Sequence, residues 1–444
     1  MPDFQGKFQY LSSGGAVTQE GACRLHFDKQ TLTLTPDAGA ALAFDLGDID
    51  SVTAADWEVR LPLYTGRVVV LRQFGKSYDN LVHDLTEAYR DRTIQCLLLE
   101  DMSEIAHFPG NFELSGGNSA SGAAEVRLYK SNLAVLPASA KSFQWRLADI
   151  DDLRFDSQAY EVTLQSGANC LKFTRLAKRT EEFATKVGES MNALATQTTQ
   201  ALHGMLPFLD PDQLQSCSAL LREGRSASLA KLSTIHKQIP SALAANAVDK
   251  DLKPYYDLLS GHATNGFEYA GFKLIRAEDA DAATPASTEA AVSETETADA
   301  ADADAGAPGT LYWFLFPLVQ PGTSKLANVV AWEASSRSGR ATYFFRMIDP
   351  SRASELNSAG AAAVVDSAIR RLNTVLAMLN FRRRPIYLSD DELAMDPRFH
   401  RYAIAARRLP EVREVRASFL GRALHSSVEA WQSQVDTLLK KATL

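Results

Sequence analysis

Histidine, the side chain that most often ligates metals or transfers protons near neutral pH, occurs eight times in this 444-residue chain. No two histidines lie four residues apart, the spacing that places two imidazoles on one helix face in helical zinc sites. We therefore predict no metal site. The eight are His26, His83, His107, His203, His236, His262, His400 and His425.

The other residue types that commonly carry catalysis are equally scattered. The four cysteines form no Cys-x-x-Cys pair, which argues against a zinc ribbon, a redox dithiol or a disulfide framework and favours a reducing compartment. Pairs of glycines at 14–15 and 116–117 lack both the Lys-Ser/Thr of a phosphate-binding loop and the spacing of a dinucleotide loop. No nucleophile elbow is present. The sequence predicts no enzyme, no catalytic residue and no cofactor.

Two clusters of aspartates could in principle bind a metal or exchange protons, one at residues 48–50 and one at 149–152. In an extended chain, successive side chains point to opposite faces, so Ile49 and Ile150 would point inward and their acidic neighbours outward. We interpret both clusters as the beginnings of strands with solvated carboxylates.

Arginine is the residue type that clusters most densely. A guanidinium binds phosphate or carboxylate in bidentate fashion, so the clustered arginines are candidate residues for binding an anion or an acidic partner. Cations at the end of a helix also stabilise the helix itself, and nearby acids such as Asp390 and Glu411 could pair with them as a solvated ionic surface. The candidates are Arg370, Arg371, Arg382, Arg383, Arg384, Arg407 and Arg408.

Charge is distributed unevenly along the chain, whose net charge is -8. Residues 277–309 contain nine acids and no base, whereas residues 310–444 contain nineteen bases and twelve acids. The acidic stretch consists almost entirely of small and polar residues, so it cannot bury enough apolar surface to offset the entropy of ordering. We predict a disordered acidic insert, either a spacer or an internal competitor for the basic region.

The N-terminal half of the chain contains a sequence repeat, which determines the elements expected there. Seven residues recur at a constant offset of 101 positions. They are Gly21, Ala22, Leu32, Pro36, Asp48, Ile49 and Asp50, which recur as Gly122, Ala123, Leu133, Pro137, Asp149, Ile150 and Asp151. Alternating polar and apolar runs lie between them in both copies. One structural unit is therefore present twice.

Each copy contains short alternating segments followed by one helical segment. In the first copy, strands are expected at 7–11, 23–27, 31–35, 42–46, 49–53, 58–63 and 67–74, and a helix follows Ser77. In the second copy, strands are expected at 125–129, 133–136, 142–147, 150–155, 160–164 and 169–174, and the helix begins near Thr180. Each copy is expected to form a small antiparallel barrel or sandwich closed by its C-terminal helix.

This order of elements resembles the pleckstrin-homology-like (PH-like) fold over roughly residues 5–200. The resemblance implies a module that binds protein, peptide or lipid headgroup ligands. In the lipid-binding members, basic residues around the first hairpin hold phosphates. The corresponding loops here, 12–21 and 115–122, contain no lysine or arginine, which argues against binding phosphoinositides or a membrane surface.

The remaining sequence predicts two further regions. Residues 203–264 read as a helical connector, with Asp210 or Asp212 capping its first helix. Residues 265–444 read as an α+β domain in which strands before and after the insert pair. In its tail, Pro410 would open a long final helix that continues through Trp431 and Leu438. The predicted fold class is thus α+β multidomain, with PH-like domains at 1–103 and 104–202.

These observations favour a non-enzymatic adaptor or scaffold that binds protein partners through its tandem PH-like domains. One alternative is a nucleic-acid-associated or chaperone-like protein that uses its arginine-rich C-terminal domain and acidic insert. A second alternative is an enzyme with an unfamiliar site, which would need a pocket of clustered carboxylates or histidines. The first residues lack the basic and apolar segments of a signal peptide, and no stretch approaches the ~20 apolar residues of a membrane span. We therefore expect a cytoplasmic protein.

Overall fold

The computed structural model describes residues 3–442 except 100–101, 117–118, 138–139, 264–265, 276–308, 321, 336–340 and 397–398. The chain forms two compact units, and each is built from two separate stretches of sequence. The first unit contains residues 1–191 and 390–410, and the second contains residues 192–389 and 411–444. Apart from Gly309, the predicted acidic insert, 277–309, lies outside the described residues.

The first repeat, residues 1–103, forms a seven-stranded antiparallel sheet in the order β4-β3-β2-β1-β7-β6-β5. One helix, α1 (Tyr78–Cys96), follows the sheet. The strands are β1 (Phe4–Leu11), β2 (Val17–Phe27), β3 (Thr31–Pro36), β4 (Leu42–Asp45), β5 (Thr53–Ala55), β6 (Glu58–Pro62) and β7 (Val68–Arg72).

Alternation along the strands builds the core of the first repeat. In β3, for example, Leu32 and Leu34 are fully buried. The inner face of the sheet meets Leu81 and Leu85 of α1, which are one helical turn apart and therefore lie on the same side of the helix. The predicted strand at 49–53 begins later, at Thr53, because a 3-10 turn at Leu46–Asp48 comes first.

The second repeat, residues 104–202, has the same topology, β11-β10-β9-β8-β14-β13-β12. Its helix α2 (Thr180–Met205) begins at the predicted residue. The strand β8 was not predicted, because Pro109 and Gly110 interrupt its alternation. The strands are β8 (Glu104–Ser115), β9 (Ala120–Tyr129), β10 (Asn132–Pro137), β11 (Phe143–Arg146), β12 (Asp152–Asp156), β13 (Glu161–Ser166) and β14 (Asn169–Thr174).

The second unit is organised around a six-stranded antiparallel sheet in the order β15-β16-β17-β18-β19-β20. Strand β16 pairs with β17, so the strands that flank the acidic insert are neighbours, as predicted. The α+β class and the third antiparallel sheet are therefore confirmed. The strands are β15 (Ser226–Ser228), β16 (Tyr269–Ile275), β17 (Gly309–Val319), β18 (Leu326–Ser335), β19 (Ala341–Phe345) and β20 (Phe419–Leu424).

The helices between residues 203 and 264 share one hydrophobic core with this sheet. Of the two predicted caps, Asp210 is the one that caps the first of these helices, through a capping box with Gln213. Residues 203–264, predicted as a connector, thus contribute to the core of the second unit. The helices are α3 (Pro211–Leu220), α4 (Leu229–Ile235), α5 (Ile239–Ala247) and α6 (Lys253–His262).

The prediction of one long final helix from Pro410 was wrong. Strand β20 interrupts it, because residues 419–424 pair with β19 and Gly421 adopts a φ of +151°, outside the helical region. The helices of the C-terminal half are α7 (Ala361–Met378), α8 (Arg384–Tyr387), α9 (Asp390–Met395), α10 (His400–Arg408), α11 (Pro410–Ser418) and α12 (Val428–Ala442).

Candidate functional site

The 3-10 turn at Leu46–Asp48 of the first repeat is the centre of the candidate site. Asp45 caps it by accepting a 2.7 Å hydrogen bond from the Gly47 amide. A Cβ atom at Gly47 would lie 2.7 Å from Cys96 Sγ of α1 and 2.8 Å from Ile404 Cγ2 of α10. The turn therefore needs glycine because two helices approach its backbone closely.

Arg408, in α10, is a buried side chain that hydrogen-bonds to this turn. Its guanidinium donates to the Gly47 carbonyl at 3.1 Å, to the Ile49 carbonyl at 2.7 Å and to Tyr89 Oη at 2.8 Å. Only 7% of Arg408 is exposed, so these acceptors replace water for a buried charge. An arginine from the C-terminal half of the chain thus completes the first repeat.

Arg407 binds the side chain of the same turn. Its Nε and Nη2 atoms lie 3.1 and 2.9 Å from Asp48 Oδ1. Burial raises the pKa of the Asp48 carboxyl above its ordinary value, and the charge of Arg407 opposes that rise. Asp48 is therefore an ion-pair partner and not the solvated acid expected from the sequence, whereas Ile49 is buried as predicted.

A second ion pair, between Arg92 and Asp45, lies beside the turn. Arg92 of α1 is buried and forms a bidentate ion pair with Asp45, with contacts of 2.9 and 2.7 Å. Arg92 also donates to Gln95 Oε1 at 2.7 Å. Because Asp45 both caps the turn and holds Arg92, it fixes α1 relative to the turn.

The corresponding turn of the second repeat, Leu147–Asp149, is held by residues of that repeat. Arg146, immediately before it, donates to Asp149 Oδ2 at 3.3 Å. Ser166 Oγ donates to the Asp149 carbonyl at 2.8 Å, and the Gly167 amide donates to Asp151 Oδ2 at 2.8 Å. The same turn is therefore stabilised in two different ways.

The other five candidate arginines belong to the second unit, so the structure divides the predicted set between two units. Arg382 and Arg383 are buried, and Arg383 lies over the rings of Trp332 and Tyr343, with its guanidinium carbon 5.9 and 5.8 Å from the ring centroids. Both side chains are thus largely withdrawn from solvent, and Arg383 makes cation–π contacts with the two rings. A role in binding an external anion stays a prediction for them.

Arg370 and Arg371 are exposed on α7, and Arg384, at the start of α8, is half-buried. Arg371 donates to the Met347 carbonyl at 2.8 Å and lies 3.6 Å from Glu414. These are the candidate arginines that the structure leaves most open to solvent.

A shallow groove on the outer face of the first sheet was not predicted. It has a volume of about 450 Å³, and Lys7, Gln9, Glu20 and Arg72 are among the residues lining it. Arg72 is bound to Glu58 at 2.6 Å and Gln9 to Glu20 at 2.7 Å, so side chains of the sheet itself hold much of its polar lining.

Within the described residues, no three histidine, cysteine, aspartate or glutamate side chains are grouped so that they could hold a metal ion. No helix in that part of the chain combines the length and apolar character needed to cross a membrane.

No protein-family model matches the chain, and no characterised protein matches it in sequence. Among solved structures, the pleckstrin homology (PH) domain of USP37 is similar at 13% identity and a TM-score of 0.18, over 20% of this chain and 97% of that domain. The Spt16D Pob3N heterodimer is similar at 17% identity and a TM-score of 0.16, over 37% of this chain and 83% of that chain. These comparisons amount to a weak resemblance of fold.

Proposed function

We propose that this protein is a non-enzymatic adaptor that binds other proteins through its two repeats. The observation that carries the proposal is the docking of α10 on the first repeat. There, a helix is held by Arg407 and Arg408. Their acceptors Asp48 and Ile49 each lie 359 residues earlier in the sequence. The order of elements in each repeat, which resembles that of PH-like binding modules, agrees with this function.

The chemistry of this docking is that of a peptide-binding surface. Two backbone carbonyls, the Tyr89 hydroxyl and the Asp48 carboxylate together recognise two adjacent guanidinium groups. Hydrogen bonds to charged groups contribute about 1.5–3 kcal/mol each. A repeat that holds a helix of its own chain in this way has the features needed to hold segments of other proteins at its remaining surfaces.

Affinity purification of the tagged full chain from its native cells, at low and high salt and with and without nuclease, tests the proposal. We expect stoichiometric protein partners that persist through nuclease and salt, and chemical cross-links from them to residues of the repeats. Recovery of nucleic acid alone, lost as salt rises, would instead support the alternative function.

A matched variant separates these two functions. Replacing the exposed pair, Arg370→Ala with Arg371→Ala, changes the second unit and leaves the repeats intact. An adaptor that acts through its repeats keeps its partners in this variant. Loss of the bound material in the variant would contradict the proposal and assign binding to the arginines.

A further inference from the structure

The hairpin between β5 and β6 presents an exposed tryptophan. Ala55 pairs with Glu58, so Asp56 and Trp57 form a two-residue turn, and both have a positive φ, 51° and 60°. This is the geometry of a turn that favours Asn-Gly or Asp-Gly, because both central residues are left-handed. Trp57 occupies the position that favours glycine, yet 66% of its surface is exposed.

Local preference does not explain a tryptophan at this position. A non-glycine residue in the left-handed region costs on the order of 1 kcal/mol, and an exposed indole recovers little of that by burial. Positions that break a local rule without a gain in stability are typical of functional surfaces. The second repeat also exposes an aromatic residue at this hairpin, since Tyr160 is 63% exposed with a φ of 51°.

The ring of Trp57 is held in place by the start of α1. Its centroid lies 5.1 Å from that of Tyr78, with an angle of 51° between the rings. Tyr78 Oη donates to the Glu58 carbonyl at 3.2 Å, which ties the first residue of α1 to the hairpin. Trp57 and Tyr78 therefore form a positioned aromatic surface, which lowers the entropy lost when a ligand binds.

Three carboxylates lie beside this aromatic surface, together with the guanidinium groups of Arg60 and Arg72. Burial raises the pKa of Tyr78, and the carboxylates of Asp79, Asp56 and Glu58 raise it further. Glu58 is occupied by Arg60 and Arg72, at 2.9 and 2.6 Å. The carboxylates of Asp56 and Asp79 are exposed.

We propose that Trp57, Tyr78, Asp56 and Asp79 bind an arginine or lysine side chain presented by a basic segment of a protein partner. A cation is attracted to the face of an indole ring, and the two carboxylates add charge complementarity. This inference rests on the proposed function and names the class of partner that the first repeat binds.

The second repeat provides an internal reference. Asp156 accepts hydrogen bonds from the Gln158 and Ala159 amides, at 2.8 and 2.9 Å. Glu161 pairs with Lys172 at 2.9 Å. The carboxylates beside Tyr160 are therefore engaged within the repeat, and we expect this hairpin to bind a cation less tightly than the first.

Titration of a fluorescent hexa-arginine peptide with the full chain, followed by anisotropy, tests the inference. We expect Trp57→Gly to weaken binding about tenfold, as expected for loss of a cation–π contact and its neighbours. Glycine fits the left-handed backbone, so this variant keeps the fold. Trp57→Phe should retain most of the affinity, and Tyr160→Gly should change it less than twofold.

The carboxylates are tested separately. Asp56→Asn with Asp79→Asn should weaken binding at low salt about fivefold and reduce its dependence on salt, because fewer charges contribute. A hexa-glutamine peptide, which has no charge, should not bind. Equal effects of Trp57→Gly and Tyr160→Gly, or no effect of Trp57→Gly, would overturn the inference, since binding would then reflect only the net negative charge.

The outcomes also separate this inference from the proposed function. If protein partners purify with the chain but Trp57→Gly leaves hexa-arginine binding unchanged, the inference fails and the adaptor function stands. If Trp57 binds the peptide but cells yield no protein partner, the adaptor function fails and the cation site stands.

Discussion

The two repeats have the same strand order but complete the same turn with different residues. In the first, the Leu46–Asp48 turn is held by Arg407 and Arg408 from the C-terminal half of the chain. In the second, the Leu147–Asp149 turn is held by Arg146, the residue directly before it. A local ion pair in one copy thus corresponds to a long-range docking interaction in the other.

This difference shows where a duplicated fold can acquire a binding surface. Asp45 of the first repeat occupies the position of Arg146 in the second, at the offset of 101. With an acid there, the residue before the turn cannot supply a cation to Asp48, and that carboxylate accepts hydrogen bonds from Arg407 instead. This exchange of charge accompanies the change from a turn held by its neighbouring arginine to one held by a helix of the C-terminal half.

The largest effect should follow removal of the buried guanidinium. Arg408→Ala leaves the Gly47 and Ile49 carbonyls without this donor, and each unsatisfied buried group costs about 1–3 kcal/mol. Tyr89 Oη also loses its donor but still donates to the Asp50 carbonyl at 2.8 Å. We expect a loss of about 3–5 kcal/mol in the free energy of unfolding of the first unit, measured by urea denaturation. The matched variant Arg146→Ala ends the 3.3 Å contact with Asp149, and we expect a smaller loss of about 1–3 kcal/mol, because one carboxylate loses this donor and not two carbonyls and a hydroxyl.

Arg408→Lys sharpens this comparison. Lysine keeps the charge but cannot reach three acceptors with the same planar geometry. We therefore expect Arg408→Lys to lower the free energy of unfolding by about half as much as Arg408→Ala does. Equal losses for Arg408→Ala and Arg146→Ala would contradict the idea that the first turn depends more strongly on one guanidinium than the second turn does.

A smaller effect concerns the dependence of stability on pH. Burial raises the folded-state pKa of Asp48 above 3.8, so the folded first repeat binds a proton more tightly than the unfolded chain, and this group favours folding as pH falls. In the second repeat, hydrogen bonding to Arg179 lowers the pKa of Glu182 from 4.5 to about 2, so its stabilisation is present above pH 4.5 and lost as pH falls toward 2.

Urea midpoints measured at several pH values below 6 test these opposite signs. Glu182→Gln should reduce the loss of stability on acidification, whereas Asp48→Asn should increase it. If both variants change the pH dependence of the urea midpoint in the same direction, the folded-state pKa shifts of Asp48 and Glu182 do not have opposite signs.

The smallest effect concerns the two exposed aromatic residues. Tyr160→Gly should raise the stability of the second repeat by up to about 1 kcal/mol, because it relieves a left-handed φ of 51°. Trp57→Gly should raise the stability of the first repeat by a smaller amount, since this variant also loses the ring contact with Tyr78. Thermal unfolding of the two variants measures the difference. A larger gain for Trp57→Gly would show that its contact with Tyr78 contributes no stability.

The topology of the repeats was largely predictable, because alternation and the constant offset are local properties of the sequence. Strand β20 was not, because residues 419–424 are extended only through pairing with β19, which no local periodicity records. The arginine cluster predicted a binding surface, but Arg383 is buried against two aromatic rings. The role of Arg408 depends on acceptors 359 residues away, and no spacing in the sequence marks them.

The return of residues 390–410 to the first unit has a consequence for the order of synthesis. A ribosome finishes the first repeat long before it reaches Arg408. At translation rates of about 5–20 residues per second, the interval is roughly 15–60 s. During that time Arg408, which donates to the carbonyls of Gly47 and Ile49 in the folded chain, has not yet been made. The first repeat is therefore synthesised well before the residues that hold its turn.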